Sequence, residues 1–321
     1  MKILVAGGAG YIGSALVPRL IDRGYEIDVV DLMWFGNNLP SNVNVQQKDI
    51  FDLKEQDLAG YQQVIFLAGL SNDPMAEFSP GLNFIHNAAS PAYLAYIAKK
   101  AGARRFIYAG SCSVYGYTVN ELYDETAPAI SKYPYGISKL QGEKAVLQMS
   151  DDGFSSICFR QGTVSGYSPR MRLDLIVNTM FKTVLERNEI MINNPSIWRP
   201  ILSIEDACSA YIRAIEASDE ISGIFNIASG NYTVGETADI VKDVLGRKLG
   251  LKIRLTMKRV PDIRNYKVSF DKAMNMLSFK PVHDVAAILD NLIGHRDKFE
   301  DLGNPKYYNI KVFEQLQSKN I

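Results

Sequence analysis

A tyrosine and a lysine four residues apart, Tyr135 and Lys139, are the residues whose types and spacing most directly suggest chemistry. On a helix, side chains at positions i and i+4 lie on the same face. A free tyrosine has a pKa of ~10, but a nearby ammonium favours the phenolate and lowers that pKa. A lowering of about three units corresponds to roughly 4 kcal/mol. The pair predicts a phenol that takes a hydroxyl proton while a hydride leaves the same carbon; an exposed pair with no catalytic role is the alternative.

A serine, Ser111, stands directly after a predicted strand at residues 105–110, in a segment of small residues. At the carboxyl edge of a parallel sheet, its hydroxyl can bond a substrate oxygen. A plain turn explains the same segment equally well, so the segment alone leaves both interpretations open.

Three glycines spaced three apart, Gly7, Gly10 and Gly13, join an apolar run at residues 1–6 to an amphipathic run at residues 15–24. This is the order strand, tight turn, helix. Glycine permits the turn and lets the backbone approach a pyrophosphate, while the helix N-terminus offers free N–H groups to the phosphates. The pattern predicts a bound dinucleotide.

A carboxylate, Asp31, ends the second predicted strand at residues 25–31. It lies near the ~20-residue offset expected for a group that bonds the adenosine ribose hydroxyls. Leu32 and Met33 follow it, so a 2′-phosphate has no basic partner there. We therefore expect NAD rather than NADP; a solvated aspartate at a strand end is the alternative.

The elements that must position these residues alternate along the chain. Strands are predicted at residues 1–6, 25–31, 43–49, 63–68, 105–110 and 155–160, with helices at residues 15–24, 82–101 and 135–149. This alternation predicts an α/β fold, a Rossmann-type doubly wound parallel sheet with ligands at the carboxyl ends of its strands.

Beyond residue 162 the alternation loosens, which predicts a smaller C-terminal α/β substrate domain. We expect residues 1–162 to form the NAD-binding domain and residues 163–321 the nucleotide-sugar-binding domain. Within the second part, a helix at residues 204–217 and a strand at residues 223–228 are expected to return to the first sheet, in a segment spanning about residues 200–228.

The composition excludes several classes of protein. The formal net charge of the 321 residues is zero, which implies neither nucleic acid nor an anionic membrane as partner. The three cysteines are scattered and the three histidines are isolated, so we expect no metal and no disulfide. No apolar run approaches ~18 residues, and the chain opens directly on a strand without room for a signal peptide. We expect a soluble, cytoplasmic protein.

With these parts together, the sequence resembles the extended short-chain dehydrogenase/reductase family of NAD-dependent nucleotide-sugar epimerases and dehydratases. The resemblance spans essentially the whole chain. It implies that Tyr135 is the acid/base, that Lys139 binds the nicotinamide ribose and tunes Tyr135, and that Ser111 bonds the reacting sugar hydroxyl. The motifs that carry it are Gly7-x-x-Gly10-x-x-Gly13, Asp31, Asp49-Ile50, Phe66-Leu67-Ala68-Gly69, Asn87, Ser111…Tyr115-Gly116 and Tyr135…Lys139.

The resemblance also assigns the cofactor site. It implies that Asp49 and Ile50 flank the adenine and that Asn87 lies near the cofactor on the following helix. The full set of implied cofactor-binding residues is Gly7, Gly10, Tyr11, Ile12, Gly13, Asp31, Asp49, Ile50, Leu67, Ala68, Gly69, Asn87, Tyr135 and Lys139.

The second half of the chain resembles the family's sugar-nucleotide half. Asn178 matches a position that binds the nucleotide diphosphate, and Arg199 and Arg264 match phosphate-binding arginines, a role that suits the guanidinium fork. Arg170 and Arg172 match less well. Surface ion pairs are the alternative for each arginine. The expected substrate-binding residues are Ser71, Asn72, Cys112, Ser113, Thr163, Asn178, Arg199 and Arg264.

Departures from the family pattern bear on the reaction. The family's 4,6-dehydratases carry two acidic residues after the serine, and its decarboxylases carry a Glu at the second of these positions; here the two are Cys112 and Ser113. What remains suits 4-epimerisation, with transient oxidation at sugar C4 and NAD regenerated each cycle. The family's glucose/galactose epimerases carry an Asn near Thr163, and the absence of this Asn here suggests a changed sugar pose. A dehydratase or a 4-ketoreductase stays open, as does a non-catalytic NAD-binding sensor.

The family commonly forms dimers through two long helices per subunit, which pack as a four-helix bundle. Here these helices are residues 82–101 and 135–149, so we expect a homodimer. The residues that give the first helix an apolar side are Ala88, Ala89, Tyr93, Leu94, Tyr96 and Ile97. Packing of this side on the subunit's own sheet is the alternative. Polysaccharide synthesis is the usual setting of the family.

Overall fold

The computed structural model describes residues 1–258 and 265–318. The strands in chain order are β1 (Lys2–Ala6), β2 (Glu26–Asp31), β3 (Asn44–Gln47), β4 (Gln63–Phe66), β5 (Arg105–Ala109), β6 (Tyr117–Tyr123), β7 (Ser155–Gln161), β8 (Thr163–Ser165), β9 (Glu189–Asn193), β10 (Trp198–Ser203), β11 (Gly223–Ile227), β12 (Gly230–Thr233), β13 (Arg254–Lys258) and β14 (Asn265–Val268). The helices are α1 (Gly13–Ile21), α2 (Asp73–Phe78), α3 (Pro80–Phe84), α4 (Ser90–Lys100), α5 (Pro134–Gln148), α6 (Ile176–Arg187), α7 (Ile204–Glu216), α8 (Val234–Leu249), α9 (Asp271–Leu277), α10 (Val285–Gly294) and α11 (Asn309–Ser318).

Seven parallel strands form the central sheet, in the order β3-β2-β1-β4-β5-β7-β11. The strand order reverses between β1 and β4, and in such sheets a crevice opens at the carboxyl ends of the strands at this point. This confirms the predicted fold class, a doubly wound Rossmann-type sheet. It also places the segments after β1, β4, β5 and β7 at one edge.

Side-chain alternation along β1 explains why helices cover both faces of the sheet. Ile3 and Val5 pack with α1 and α7 in one core cluster, whereas Leu4 and Ala6 pack with α4 and α5 in another. Both faces of the strand are therefore buried, as the continuous apolar run predicts.

The helix predicted at residues 82–101 runs through α3 and α4 with a π-helical turn at Ile85–Ala89 between them. Such single turns insert a residue into a helix and recur at functional sites. The turn carries Asn87, which is fully buried. The helix predicted at residues 135–149 is α5, which begins at Pro134, a residue that suits a helix start.

The predicted dimer helix packs largely within its own subunit. Leu94 and Ile97 belong to the core beneath the sheet, and the Tyr93 hydroxyl donates to the carbonyl of Leu53 at 2.7 Å. Tyr96 is 45 % exposed. The homodimer and its four-helix bundle stay a prediction.

Three smaller sheets are β8-β10-β12, β9-β13 and β6-β14. The last pairs β6 of the first part of the chain with β14 of the second. Strand β11 pairs with β7, and α7 packs against α1, so residues 204–227 lie against the large sheet. The domain boundaries themselves stay a prediction.

Within the described ranges, no helix has the length and apolar character needed to cross a bilayer. Cytoplasmic location stays a prediction. Among the same residues, no group of three or more His, Cys, Asp or Glu side chains is placed to hold a metal ion.

Candidate active site

The crevice between β1 and β4 opens into a cavity of about 380 Å³, lined by residues from both parts of the chain. A narrower cleft of about 80 Å³ continues from it towards the end of β2. The two spaces share Gly7, Gly10, Phe35 and the segment Leu67–Gly69. Together they form one elongated site across the strand ends.

The three predicted catalytic residues come together in the larger cavity. Ser111, Tyr135 and Lys139 line it, and each is 5–8 % exposed. Ser111 lies near enough to Tyr135 for its hydroxyl to favour the phenolate of Tyr135. Strand β5 places Ser111 and α5 places the other two, so residues far apart in sequence meet at one point.

The ionisation of Tyr135 differs from the prediction. Burial raises the pKa of Tyr135 to about 12, although the neighbouring Ser111 hydroxyl favours the phenolate. The pKa of Tyr135 is therefore raised and not lowered as predicted, because the effect of burial is the largest one. The Lys139 amine donates to the carbonyl of Ala109 at 2.9 Å. Burial lowers the pKa of Lys139 to about 7. At pH 7 the Tyr135 phenol is therefore protonated, and the pKa of the Lys139 amine is about 7.

A buried ion pair that the sequence did not suggest fixes α5. Glu143, four residues beyond Lys139, accepts from Arg160 through both oxygens, at 2.9 and 2.7 Å. Arg160 also donates to the Tyr115 hydroxyl at 3.0 Å. Both charged side chains are at most 5 % exposed. The pair therefore ties α5 to β7 and to the loop that carries Ser111.

The two residues after Ser111 lie in different environments. Cys112 is 1 % exposed, and its thiol donates to the carbonyl of Arg160 at 3.1 Å. Burial raises the pKa of Cys112 far above its ordinary value, so it stays a thiol. Ser113 lines the cavity, with its hydroxyl 3.3 Å from that of Tyr266. The structure thus brings Ser113 to the cavity but turns the Cys112 thiol towards the carbonyl of Arg160.

The glycine turn fits a dinucleotide backbone. Gly7 has φ +77°, and a Cβ there would clash with the backbone of Ala68. A Cβ on Gly13 would clash with the backbone of Gly8, so this glycine serves the packing of helix on turn. Gly10, Tyr11 and Ile12 line the cavity at the start of α1. The bare turn beside a helix N-terminus is what phosphate groups require.

The narrow cleft matches the adenosine end of the predicted cofactor. Asp31, Asp49 and Ile50 line it. Asp31 accepts from the backbone amides of Ala9 at 3.0 Å and Met33 at 2.8 Å, while burial raises the pKa of this carboxyl. Its carboxylate therefore stands at the cleft already oriented by the glycine turn.

Three residues with aromatic rings are among those that line this cleft without having been identified from the sequence: Trp34, Phe35 and His86. Trp34 meets His86 edge to face, with ring centroids 5.0 Å apart. Burial lowers the pKa of His86, so the imidazole is neutral at pH 7. An aromatic pair three residues after Asp31 was the signal that could have found them.

Replacing Asp31 with Ala is expected to weaken NAD binding by about 10- to 100-fold, because hydrogen bonds to a charged group contribute about 1.5–3 kcal/mol. Discrimination against NADP should fall as well, since the carboxylate repels a 2′-phosphate. Isothermal titration calorimetry with both dinucleotides measures this. Asp31→Asn keeps an acceptor and should lose less affinity. Asp22→Ala, at an exposed position, is the control; equal affinities in Asp31→Ala and wild type would contradict the assignment.

Asn87 lies behind the cavity wall. Its amide donates to the carbonyl of Leu70 at 2.8 Å and to Asn83 at 2.8 Å, and a Cβ on Gly69 would clash with its oxygen. It supports the segment Leu67–Gly69, which lines both spaces.

The predicted substrate residues divide into three groups. Ser71, Asn72, Thr163 and Arg199 line the large cavity. Asn178 is fully buried, where it donates to the Tyr11 hydroxyl at 3.1 Å and accepts from the amide of Gly166 at 2.9 Å. Its bonds join the second part of the chain to the glycine turn. Arg264 lies outside the described residues.

The two arginines that match the family less well both line the cavity. Arg172 is held by Asp174 through two bonds of 2.9 and 3.0 Å and donates to the Ser71 hydroxyl at 2.7 Å. Arg170 lies 3.8 Å over the ring of Phe35, and burial lowers its pKa to about 9. Two buried guanidinium groups thus line the same cavity as Arg199.

The fold and the site together define a dinucleotide-dependent enzyme of the Rossmann class that carries a buried Ser–Tyr–Lys set. The model of the NAD dependent epimerase/dehydratase family matches residues 3–228, and the chain belongs to that family. This confirms the predicted family and, because the family is NAD-dependent, the predicted cofactor.

Individual relatives are distant. UDP-glucose 4-epimerase of Corynebacterium glutamicum is 23% identical, over 91% of this chain and 94% of its own. The enzyme of the same name from Halalkalibacterium halodurans is 26% identical, over 88% and 91%. The Thermotoga maritima UDP-glucose 4-epimerase with UDP-glucose superposes with a TM-score of 0.82, at 24% identity, over 94% and 100% of the two chains. The last likeness shows the fold.

Proposed function

We propose that this protein is a nucleotide-diphosphate-sugar 4-epimerase with NAD as its cofactor. The observation that carries the proposal is the make-up of the large cavity. It is lined by Ser111, Tyr135 and Lys139, whereas the Cys112 thiol donates a hydrogen bond to a backbone carbonyl. A site with one proton-exchanging phenol and no acidic pair after Ser111 suits removal and return of hydrogen at one carbon.

Tyr135 is the group that exchanges the proton of the reacting sugar hydroxyl, and Ser111 holds that hydroxyl and the phenol together. When bound, NAD supplies the acceptor and donor of the hydride and, in its oxidised form, a positive charge. A positive charge in this cavity favours the phenolate and so offsets the rise in the pKa of Tyr135 that burial causes. Lys139 contributes a second positive charge while it is protonated.

In this proposal Arg199 and Arg172 bind the diphosphate. Both line the large cavity, and guanidinium forks match phosphate oxygens. Several relatives bear the name UDP-glucose 4-epimerase, which supports both the reaction and a nucleotide-sugar substrate. Epimerisation also requires the keto sugar to present its other face before the hydrogen returns.

Water elimination is the second candidate, and one observation favours it. Asp73 lines the same cavity and is 7 % exposed. The preceding Asn72 has φ +83°, ψ 160°, a conformation costly for a residue with a side chain and frequent at functional sites. A carboxylate beside a keto sugar is able to take an α-proton. A fold neighbour of 20% identity, with a TM-score of 0.82 over 94% of this chain and 99% of its own, is described as an NDP-hexosamine 5,6-dehydratase.

Product analysis over a panel of UDP-, dTDP-, GDP- and CDP-sugars tests the proposal. We expect an isomer of the substrate by NMR, with no net change in NADH absorbance. Loss of one water from the product would replace the proposal with dehydration, and Asp73→Asn should then abolish it. Stoichiometric consumption of added NADH would make the protein a 4-ketoreductase. Bound NAD without turnover of any sugar would leave a sensor.

A further inference from the structure

Trp34 and Phe35 form an aromatic wall along the narrow cleft. The C-terminal helix α11 packs against this aromatic wall. Phe313 is 3 % exposed, with its ring centroid 4.8 Å from Trp34 at 80° and 6.1 Å from Phe35. Leu70 and Met75, which follow β4, complete this cluster. We infer that α11 is a part of the NAD site, and that Phe313 and Asn309 control how tightly the cofactor is held.

The aromatic wall needs support from outside its own loop. Trp34 and Phe35 stand on a tight turn in which Met33 has φ +59°, and the amide of Gly36 donates to the carbonyl of Met33 at 3.0 Å. Both aromatic side chains are only half-buried. The Phe313 ring packs against both of them and so restricts the conformations that the turn can adopt.

A polar contact on the same helix face adds a second tie. Asn309 lies four residues before Phe313, which places both on one side of the helix. It accepts from Arg170 at 2.6 Å and donates to the Ser71 hydroxyl at 3.1 Å. Arg170 in turn stacks on Phe35 at 3.8 Å. The start of α11 therefore joins the aromatic wall to the loop after β4.

The chemistry predicts a kinetic role for this arrangement. In this inference the planar base lies against Trp34 and Phe35, and Phe313, which packs on both rings, holds them in place and so slows its release. The inference rests on the NAD dependence of the family and not on the proposed epimerisation, so it holds whichever reaction the enzyme catalyses. An enzyme that regenerates its cofactor each cycle gains from slow release.

NADH dissociation from the full-length protein tests the inference. The chain has two tryptophans, so a Trp198→Phe background leaves Trp34 as the reporter of energy transfer to bound NADH. The loaded protein is mixed with excess NAD, and the loss of transfer gives the release rate. Phe313→Ala should release NADH at least about 10-fold faster, and Asn309→Ala by a smaller factor. Glu314→Ala, an exposed position on the same helix, should match the background protein.

Phe313→Leu keeps apolar bulk and should give an intermediate rate, which covers the case in which the alanine variant does not fold. Release from folded Phe313→Ala or Phe313→Leu within twofold of the background rate would overturn the inference. Failure of the unsubstituted protein itself to bind NADH would overturn it together with the cofactor assignment. An unchanged sugar product in all variants would show that the proposed reaction is independent of this result.

Discussion

The Tyr135→Phe variant is expected to lose about 10²- to 10⁴-fold in kcat on every sugar that the wild-type protein converts, the range typical of a positioned acid/base group. The substitution removes one oxygen from a ring that is 8 % exposed, so the fold and the cavity shape should persist. The proton of the sugar hydroxyl then has no phenol to accept it. Steady-state turnover with the best substrate of the panel measures the effect.

A measurement of NAD affinity distinguishes a variant that has lost only the reaction from one whose binding site is damaged. Tyr135→Phe should bind NAD within a few-fold of wild type, because the glycine turn and Asp31 are unchanged. Tyr96→Phe, at a 45 % exposed position on α4, removes an equivalent oxygen far from the cavity and should retain full turnover. Undiminished turnover in Tyr135→Phe would mean that another group exchanges the proton.

The Lys139→Met variant is expected to lose at least about 10²-fold in turnover and yet to be more stable than wild type in neutral or acidic solution. Burial lowers the pKa of Lys139 to about 7, far below the ~10.4 of a lysine in the unfolded chain. The charged amine is therefore unfavourable in the folded protein. Met fills much of the same volume without a charge, which should add a few kcal/mol of stability below pH ~7.

The stability difference between Lys139→Met and wild type depends on pH. Between pH ~7 and ~10.4 the unfolded chain holds one more proton at this lysine than the folded protein, so wild-type stability rises with pH across that window. The advantage of Lys139→Met should be largest at pH 6 and shrink towards pH 9. Thermal unfolding of the NAD-free proteins at both pH values measures it. The difference between the two proteins cancels the other titrating groups.

Lys144→Met is the matched control, because Lys144 is an exposed residue of the same helix. It should change the unfolding temperature little, and equally at both pH values. A Lys139→Met variant that is less stable than wild type at pH 6 would contradict the buried, destabilising amine. Added NAD should raise the unfolding temperature of wild type, since a ligand that binds only the folded state stabilises it.

Much of the fold could be predicted because its signals are local. The apolar run of β1, the glycine turn and the start of α1 lie within 21 residues of the N-terminus. The hydrophobic periodicity and the turn residues of each segment indicate the element that it forms. The predicted strands at residues 63–68, 105–110 and 155–160 correspond to β4, β5 and β7. Once these strands are parallel neighbours, their carboxyl ends must meet, which brings Ser111 towards Tyr135.

The ionisation of the site could not be predicted in the same way. The spacing of Tyr135 and Lys139 places both on one face of α5, but the direction of the pKa shift depends on burial by other elements. Strand β5 supplies the carbonyl of Ala109 that accepts from the Lys139 amine, and Ser111, just beyond this strand, favours the phenolate of Tyr135. Desolvation outweighs the helical proximity that the sequence displays.

The sequence by itself determined the family, the cofactor class, the sheet and the three side chains that could carry the chemistry. Only the tertiary structure decided that the Cys112 thiol donates a hydrogen bond to the backbone carbonyl of Arg160. It also decided that Arg170 and Arg172 line the cavity and that Phe313 packs against Trp34. The physical reason is separation along the chain. Period, turn and motif act over a few residues, whereas the direction and burial of a side chain depend on partners hundreds of residues away, as Phe313 is from Trp34.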